Sequence, residues 1–584
     1  MQLILSGLRE LLPISRQDEL SDSAIGQILD RHAPLGMKKM LVYFNVNTEP
    51  DLDPRGLPPY RKVQEADENE LLDELGDYLR AVEHLEPRSI PEDLRTVVLS
   101  KAVLFYYRKL VDLVASLNPE NLLEFLIAYQ EAITRESSFR ELTIPTQIAC
   151  FSSETEMVHR LSEELPERAN AATASRFVIE YVAACPPQGE RPISLSVYDR
   201  LQALASLIIR FGFTSDLIHF QLANINLAML PSGRLNVDRE QYEKARANYF
   251  PNLAVSEIRR ATEAFAHHWQ ENESHAEDTE MWSKLDAAAQ VEFGCSLSDL
   301  QRFAVGAFTI SEDLDPVSAH FELSDFVDRL VKELGWSREQ ISHVLGLLTL
   351  VPIPDLLNPP PPYRKEDTYP WRNNRLLSYI RRPFVYRKRG ETIEILWGNR
   401  HLYKAVLYLI HFCLAGRLQA QSSEMRKIMG SILHQQGEAF NDTVADVLER
   451  NPDLTVRTRV EKIGKLKVPG DIDVLVADPK KRRLGVLECK DFAAARMPHE
   501  MDYELKKLFQ GKHGEKSMIE KRTDWVHMHK EEILAWLRLD GAGRASRWRV
   551  EPLIVVSQEL LSPYLRKSPI RVVSLAQLTR EQIW

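Results

Sequence analysis

Cysteine is scarce and scattered. The chain has five, Cys150, Cys185, Cys295, Cys413 and Cys489, and none forms a Cys-x-x-Cys pair. That excludes a disulfide framework and a zinc ribbon, and it leads to an expected cytoplasmic location. Long hydrophobic runs are missing as well. The most apolar stretch, Val406 to Gly416, spans 11 residues and contains His411, whereas a bilayer span needs roughly 20. No membrane partner is therefore expected. The first residues, Met1-Gln2-Leu3-Ile4-Leu5-Ser6, lack the basic start and cleavage site of a signal peptide. Catalytic signatures of other classes are absent too. There is no His-Glu-x-x-His and no Gly-x-Ser-x-Gly, and Gly511 to Ser517 only echoes a phosphate loop, because Glu515 separates Gly514 from Lys516. His527 and His529 are two apart on an expected helix and so do not share a face.

What is present is a soluble-type composition, 44% hydrophobic and 27% charged, in 584 residues. At roughly 150 residues per domain this implies three or four domains. The net charge of −10 hides an asymmetry. Residues 1–360 carry 33 basic and 56 acidic side chains, residues 361–404 carry 11 and 4, and residues 421–584 carry 29 and 24. Any polyanion contact is therefore expected from the back of the chain.

Along the front, Met40 to Val46 reads as a strand. Glu65 to Glu83 reads as a helix on Leu71, Leu72, Leu75, Tyr78 and Leu79. Ser89, Pro91 and Glu92 spell a helix start with Ser89 as cap, and Asn118-Pro119-Glu120 starts another. Val197, Leu201, Leu204 and Ile208 form a helical stripe that ends at Gly212, with Ser215-Asp216 capping a further helix that stops before Pro231. Phe293 to Leu350 reads as more helices, with Gly335-Trp336-Ser337 as turn and cap. A break follows at Asn358-Pro359-Pro360-Pro361-Pro362. Beyond it Arg364, Lys365, Arg372, Arg375, Arg381, Arg382, Arg387, Lys388 and Arg389 are interleaved with Tyr369, Trp371, Tyr379 and Tyr386. This mixture suits phosphate contact and base stacking, or else internal pairing with the acidic front. Lys388 to Glu391 reads as a hairpin turn.

Near the end two short strands carry charge where a core strand should not. They are Gly470-Asp471-Ile472-Asp473-Val474-Leu475-Val476 and Gly485-Val486-Leu487-Glu488-Cys489-Lys490-Asp491. On a strand Glu488 and Lys490 share a face and Cys489 takes the other. Buried charges are costly unless paired or metal-bound. An amphipathic helix precedes them, with Phe440, Val444, Val447 and Leu448 as its stripe and Glu438 near its start. The expected order is helix 423–450, strands 454–461, 470–477 and 484–490, helices 500–538, strands 551–557 and 570–574, and a last helix from Ser574.

Asp473, fourteen intervening residues and then Glu488-Cys489-Lys490, in that order of elements, resembles the PD-(D/E)XK nuclease superfamily. The resemblance covers roughly residues 421–584. It implies a multidomain chain in which a mostly α-helical N-terminal region is followed by an α/β restriction-endonuclease-like domain with a central mixed sheet. The expected divisions are an acidic helical sensor or partner-binding region (1–355), a Pro-rich basic and aromatic connection (356–420) and the nuclease-like domain (421–584). The resemblance further implies Mg²⁺ or Mn²⁺ held by Asp473, Glu488 and the Cys489 carbonyl, with Glu438 and Asp471 as further candidates. Lys490 would act on the attacking water. Arg372, Arg375, Arg381, Arg382, Arg387, Lys388, Lys516, Lys521 and Arg522 would contact nucleic acid, with DNA favoured. A role among bacterial anti-phage effectors follows by analogy of architecture alone. An RNase with the same site, or a binding scaffold that keeps the fold, stays open.

Overall fold

The computed structural model describes residues 56–584 except 151–152, 270–278, 313–316, 373–374, 493–494, 496, 511–514, 540, 542, 567 and 582. The strand expected at Met40 to Val46 lies outside the described residues.

The front is helical, as its stripes require. It contains α1 (Glu65–Ala81), α2 (Glu92–Ala115), α3 (Leu122–Cys150), α4 (Glu154–Ala184), α5 (Leu195–His219) and α6 (Glu240–Trp269). Between α5 and α6 lies a hairpin of β1 (Asn226–Met229) and β2 (Leu235–Asp238). Pro231-Ser232-Gly233 is its turn rather than the end of a helix. Leu71, Leu75, Leu99, Tyr106, Leu201, Leu204 and Leu207 are among the side chains that α1, α2 and α5 bury in one core. Two local expectations change. Ser89 is not the cap of α2, since Pro91 holds that position with no side-chain hydrogen bond. Gly212 does not end a helix either: α5 runs through it to His219, and a Cβ there would lie 2.3 Å from the Trp371 ring. Glycine is needed for close approach of the later segment. Helix α5 is also long and apolar enough to cross a membrane by length and composition, but its apolar side chains lie mostly in the helical core.

The middle comprises α7 (Thr279–Phe293), α8 (Leu297–Glu312), β3 (Ser318–Glu322), α9 (Leu323–Leu334), α10 (Arg338–Leu348), β4 (Thr349–Leu350), β5 (Phe384–Arg389), β6 (Thr392–Gly398) and α11 (Asn399–Leu414). Gly335 closes α9 in the left-handed region, and Ser337 caps α10. The hairpin turn falls at Gly390-Glu391 as expected. Strands β5 and β6 do not stand apart as a connection. They lie in one four-stranded sheet, ordered β3-β6-β5-β4. Trp397, Phe384, Phe326 and Phe303 pack together in the core beside that sheet.

The C-terminal part follows the expected order closely. It is α12 (Ser423–Glu449), β7 (Thr455–Ile463), β8 (Leu466–Asp478), β9 (Arg483–Lys490), α13 (Pro498–Phe509), α14 (Glu515–Met528), α15 (Lys530–Trp536), β10 (Arg549–Val556), α16 (Ser562–Leu565), β11 (Arg571–Ser574) and α17 (Leu575–Arg580). The sheet order is β11-β10-β9-β8-β7. The pairs β7–β8 and β8–β9 are antiparallel, while β9–β10 and β10–β11 are parallel. Helix α12 covers one face through Phe440, Val444 and Leu448, which meet Val474, Leu487, Cys489 and Val555. Helix α14 covers the other, where Ile519 and Val526 meet Ile472, Leu475, Val486 and Ile554. Central strands buried on both faces explain the near-continuous apolar run Leu553 to Val556. The helical front docks on this part through Leu217, Tyr242 and Tyr249 against Met501, Leu505 and Leu565.

Candidate active site

Strand alternation sends Leu487 and Cys489 of β9 to the α12 face and leaves Val486, Glu488 and Lys490 on the α14 face. The Cys489 thiol therefore lies in the core, where burial holds its pKa well above the usual range. Strand β8 is irregular beside it. Ile472 packs on the α14 face and Val474 on the α12 face, although residues two apart on a regular strand share a side. Across the ladder Arg459 sits at φ 49°. Just beyond, the pairs Val460–Ile472 and Lys462–Lys467 leave one residue of β7 opposite four of β8. Such bulges re-aim side chains and favour the neighbourhood of functional sites.

The result is a buried charged set. Asp473 accepts the Cys489 backbone N–H on Oδ2 at 2.8 Å. Lys490 Nζ lies 2.7 Å from Glu488 Oε1. Arg522, from α14, donates to Glu488 Oε2, and its Nη2 lies 3.5 Å from Asp471 Oδ1. Asp473, Glu488 and Arg522 are all buried, and among the described residues the Arg522 Nε has no hydrogen-bond partner. Gly470, at φ 91°, brings the backbone against this guanidinium, with a virtual Cβ 3.1 Å from Nη2. Burial first, and then the Glu488 carboxylate, push the Asp473 pKa up to about 6; Lys490, the Cys489 N–H and Arg522 oppose the rise. A carboxyl raised by burial and a like charge is a recurrent mark of functional sites.

Other expected residues fall elsewhere. Glu438 is exposed on α12, 3.8 Å from His434 Nε2 one turn earlier. The polar side chain that α12 does bury is Asn441, whose Oδ1 has no hydrogen-bond partner among the described residues. Glu438 is thus not brought into the buried set; solvent and His434 satisfy it at lower cost than burial beside two more carboxylates. Asp471 is exposed, and among the described residues its ion-pair partner is Arg522. Among the described residues no three His, Cys, Asp or Glu side chains are grouped to hold a metal ion.

The basic and aromatic segment is largely consumed internally. Arg375 pairs with Glu180 at 2.8 Å, both buried. Arg387 pairs with Glu124 at 2.7 Å and Glu394 at 2.6 Å. Arg372 lies 3.4 Å from Asp216 and over the Phe220 ring. Arg382 donates to the Leu376 and Thr349 carbonyls at 3.0 Å and to the Tyr363 hydroxyl at 3.1 Å. Arg381 is half-buried, with its pKa lowered by desolvation. Trp371 stacks on Tyr369 and packs against Gly212. Arg372, Arg375 and Arg387 thus answer acids of the front, and Arg382 answers carbonyls and a hydroxyl of the middle part. Of the remaining expected contacts, Lys388 and Lys521 are exposed, and Lys516 is half-buried 3.8 Å from Glu520. Arg522 belongs to the buried set. The sequence reading missed the Arg522–Glu488 bridge. Spacing along α14 gives no sign of which turn faces Glu488.

Fold and site together define a multidomain protein, helical in front, with a mixed-sheet C-terminal part built round a buried acid–lysine–arginine set. The chain belongs to the anti-phage protein Upx-like family, whose family model it matches over residues 72–542, a span that includes every member of that set. No curated protein and no solved structure matches it.

Proposed function

We propose that this protein is an anti-phage effector whose C-terminal part is a divalent-metal-dependent nuclease with a restriction-endonuclease-like fold. The observation that carries the reading is the buried meeting of Asp473 and Glu488 on adjacent strands, with Lys490 on the same face as Glu488. The order helix, three antiparallel strands, helices and a parallel strand supports it, as does the family's anti-phage description.

Asp473, Glu488 and the Cys489 carbonyl are the oxygen donors that would hold Mg²⁺ or Mn²⁺. Two carboxylates suffice, because Mg²⁺ keeps several waters and often takes only one or two protein carboxylates together with substrate phosphate. The raised Asp473 pKa fits a carboxylate that lacks enough positive charge nearby. When bound, the ion supplies Lewis acidity at the scissile phosphate. Lys490 orients the attacking water and offsets the charge that develops as phosphorus gains a ligand. Arg522, whose Nε has no partner among the described residues, holds Glu488 in place and can turn an N–H to a phosphate oxygen. The helical front then serves as the sensor or partner-binding part.

A second reading has its own support. Glu488 already bridges Lys490 and Arg522, and such a closed ion network suits a scaffold that binds without cleaving. Incubation of the purified protein with supercoiled plasmid, linear DNA and RNA in Mg²⁺, Mn²⁺ or EDTA separates the readings. Cleavage that EDTA abolishes supports the nuclease and identifies the nucleic acid. No cleavage of any substrate in either metal supports the scaffold.

A further inference from the structure

A group of basic side chains without acidic partners among the described residues lies within the basic back of the chain, at the β7–β8 tip. Strands β7 and β8 extend as a ribbon whose tip reads Val460-Glu461-Lys462-Ile463-Gly464-Lys465-Leu466-Lys467-Val468. Val460, Ile463 and Val468 are buried on the α14 side of the sheet, so the tip is anchored. Lys462, Lys465 and Lys467 are exposed. Among the described residues none of the three makes an ion pair, whereas Arg459 is held by Asp442, and Lys480 by Asp453 in the β8–β9 turn. Lys462 and Lys467 stand directly opposite each other in the ladder. Like charges in that position destabilise a sheet. An anchored ribbon that keeps such a pair, with a third lysine at its turn, is built for an anion from outside.

Position says which anion. On β7 three residue steps separate Lys462 from Arg459, which lies across the ladder from Asp473. At 3.3 Å per step Lys462 and its ladder partner Lys467 stand about 10 Å along the strand from the level of Asp473, with Lys465 beyond them at the turn. That is about three nucleotide steps along a duplex strand. We propose that the β7–β8 ribbon tip is a phosphate clamp, in which Lys462, Lys465 and Lys467 hold the backbone of duplex nucleic acid beside the Asp473–Glu488 site. The placement rests on the nuclease reading; the clamp's own chemistry, cation against phosphodiester, does not. Because phosphate contacts carry no base information, the clamp binds without sequence preference.

The test is equilibrium binding of the full chain to a fluorescent duplex in EDTA, where no cleavage intervenes, between 50 and 200 mM salt. DNA and RNA duplexes are run as separate arms. The variant is Lys462→Gln/Lys465→Gln/Lys467→Gln, with Lys480→Gln as the control. Three lost phosphate contacts reduce the log–log slope by about 2.7, so over this range wild-type affinity falls about 40-fold more than that of the variant. Lys480→Gln keeps the wild-type slope, and the triple variant keeps or raises the wild-type melting temperature because the Lys462–Lys467 repulsion is gone. An unchanged slope in a folded triple variant overturns the clamp even if the wild type cleaves. Absence of wild-type binding to either duplex also overturns it. A reduced slope in a protein that never cleaves upholds the clamp and rejects the nuclease.

Discussion

Replacing Asp473 by Asn should make the C-terminal sheet more stable at neutral pH. The carboxylate is buried next to Glu488, and its pKa stands at about 6 in the fold against 3.8 ordinarily. A raised acid pKa means that the folded state favours the proton. The contribution to stability is therefore fully present below about pH 4 and is lost as pH rises through 6. At 1.36 kcal/mol per unit the loss above pH 7 is about 3 kcal/mol at most. Asn removes the charge and keeps an oxygen to accept the Cys489 N–H. In a multidomain chain a single unfolding free energy is poorly defined, so the assay is amide hydrogen exchange of β8 and β9 peptides without divalent metal. At pH 7–8 those amides should exchange up to about a hundredfold more slowly in Asp473→Asn, and the difference should shrink towards zero as pH falls to 4. Mg²⁺ should protect the wild type and not the variant. Faster exchange in the variant at pH 7, or a difference that does not narrow with acid, would refute the assignment of Asp473 as a strained carboxylate.

Two further outcomes follow from other ion pairs of the structure. Lys490→Ala should slow single-turnover cleavage about a hundredfold to a thousandfold with little effect on the melting temperature. Lys490→Arg should not restore the rate, because a planar guanidinium neither fits nor gives up a proton in the same way; full rescue by Arg would make Lys490 merely the ion-pair partner of Glu488. Arg375→Ala should leave buried Glu180 without its cation and lower the local stability around it by about 3–5 kcal/mol, read as faster amide exchange of α4 peptides. Its salt dependence of nucleic-acid binding should match the wild type; a shallower slope would return Arg375 to the interface.

The C-terminal elements were legible because their signals are local. Short apolar runs rich in Val, Ile and Leu gave β8, β9 and β10, and α17 starts after Ser574 as expected, where the structure shows a capping box. The facing of Glu488 and Lys490 followed from alternation alone. The arginines of residues 372–387 misled because composition does not say which acid lies across space: Glu180 and Glu124 are about two hundred residues or more away in sequence. Gly212 misled because its reason, the Trp371 ring, is also far away in sequence. The bulge at residues 468–471 was hidden because Pro469-Gly470 reads as a simple turn until the ladder register is known. The short strands β3 and β4 need partners in β5 and β6 and carry little pattern of their own.

The most direct test of the central claim compares wild type, Asp473→Ala and Glu488→Ala from parallel purifications in one plasmid cleavage assay with Mg²⁺. The account predicts that the wild type cleaves, that EDTA stops it, and that both variants stay folded and do not cleave. Wild-type rates in both variants would contradict it.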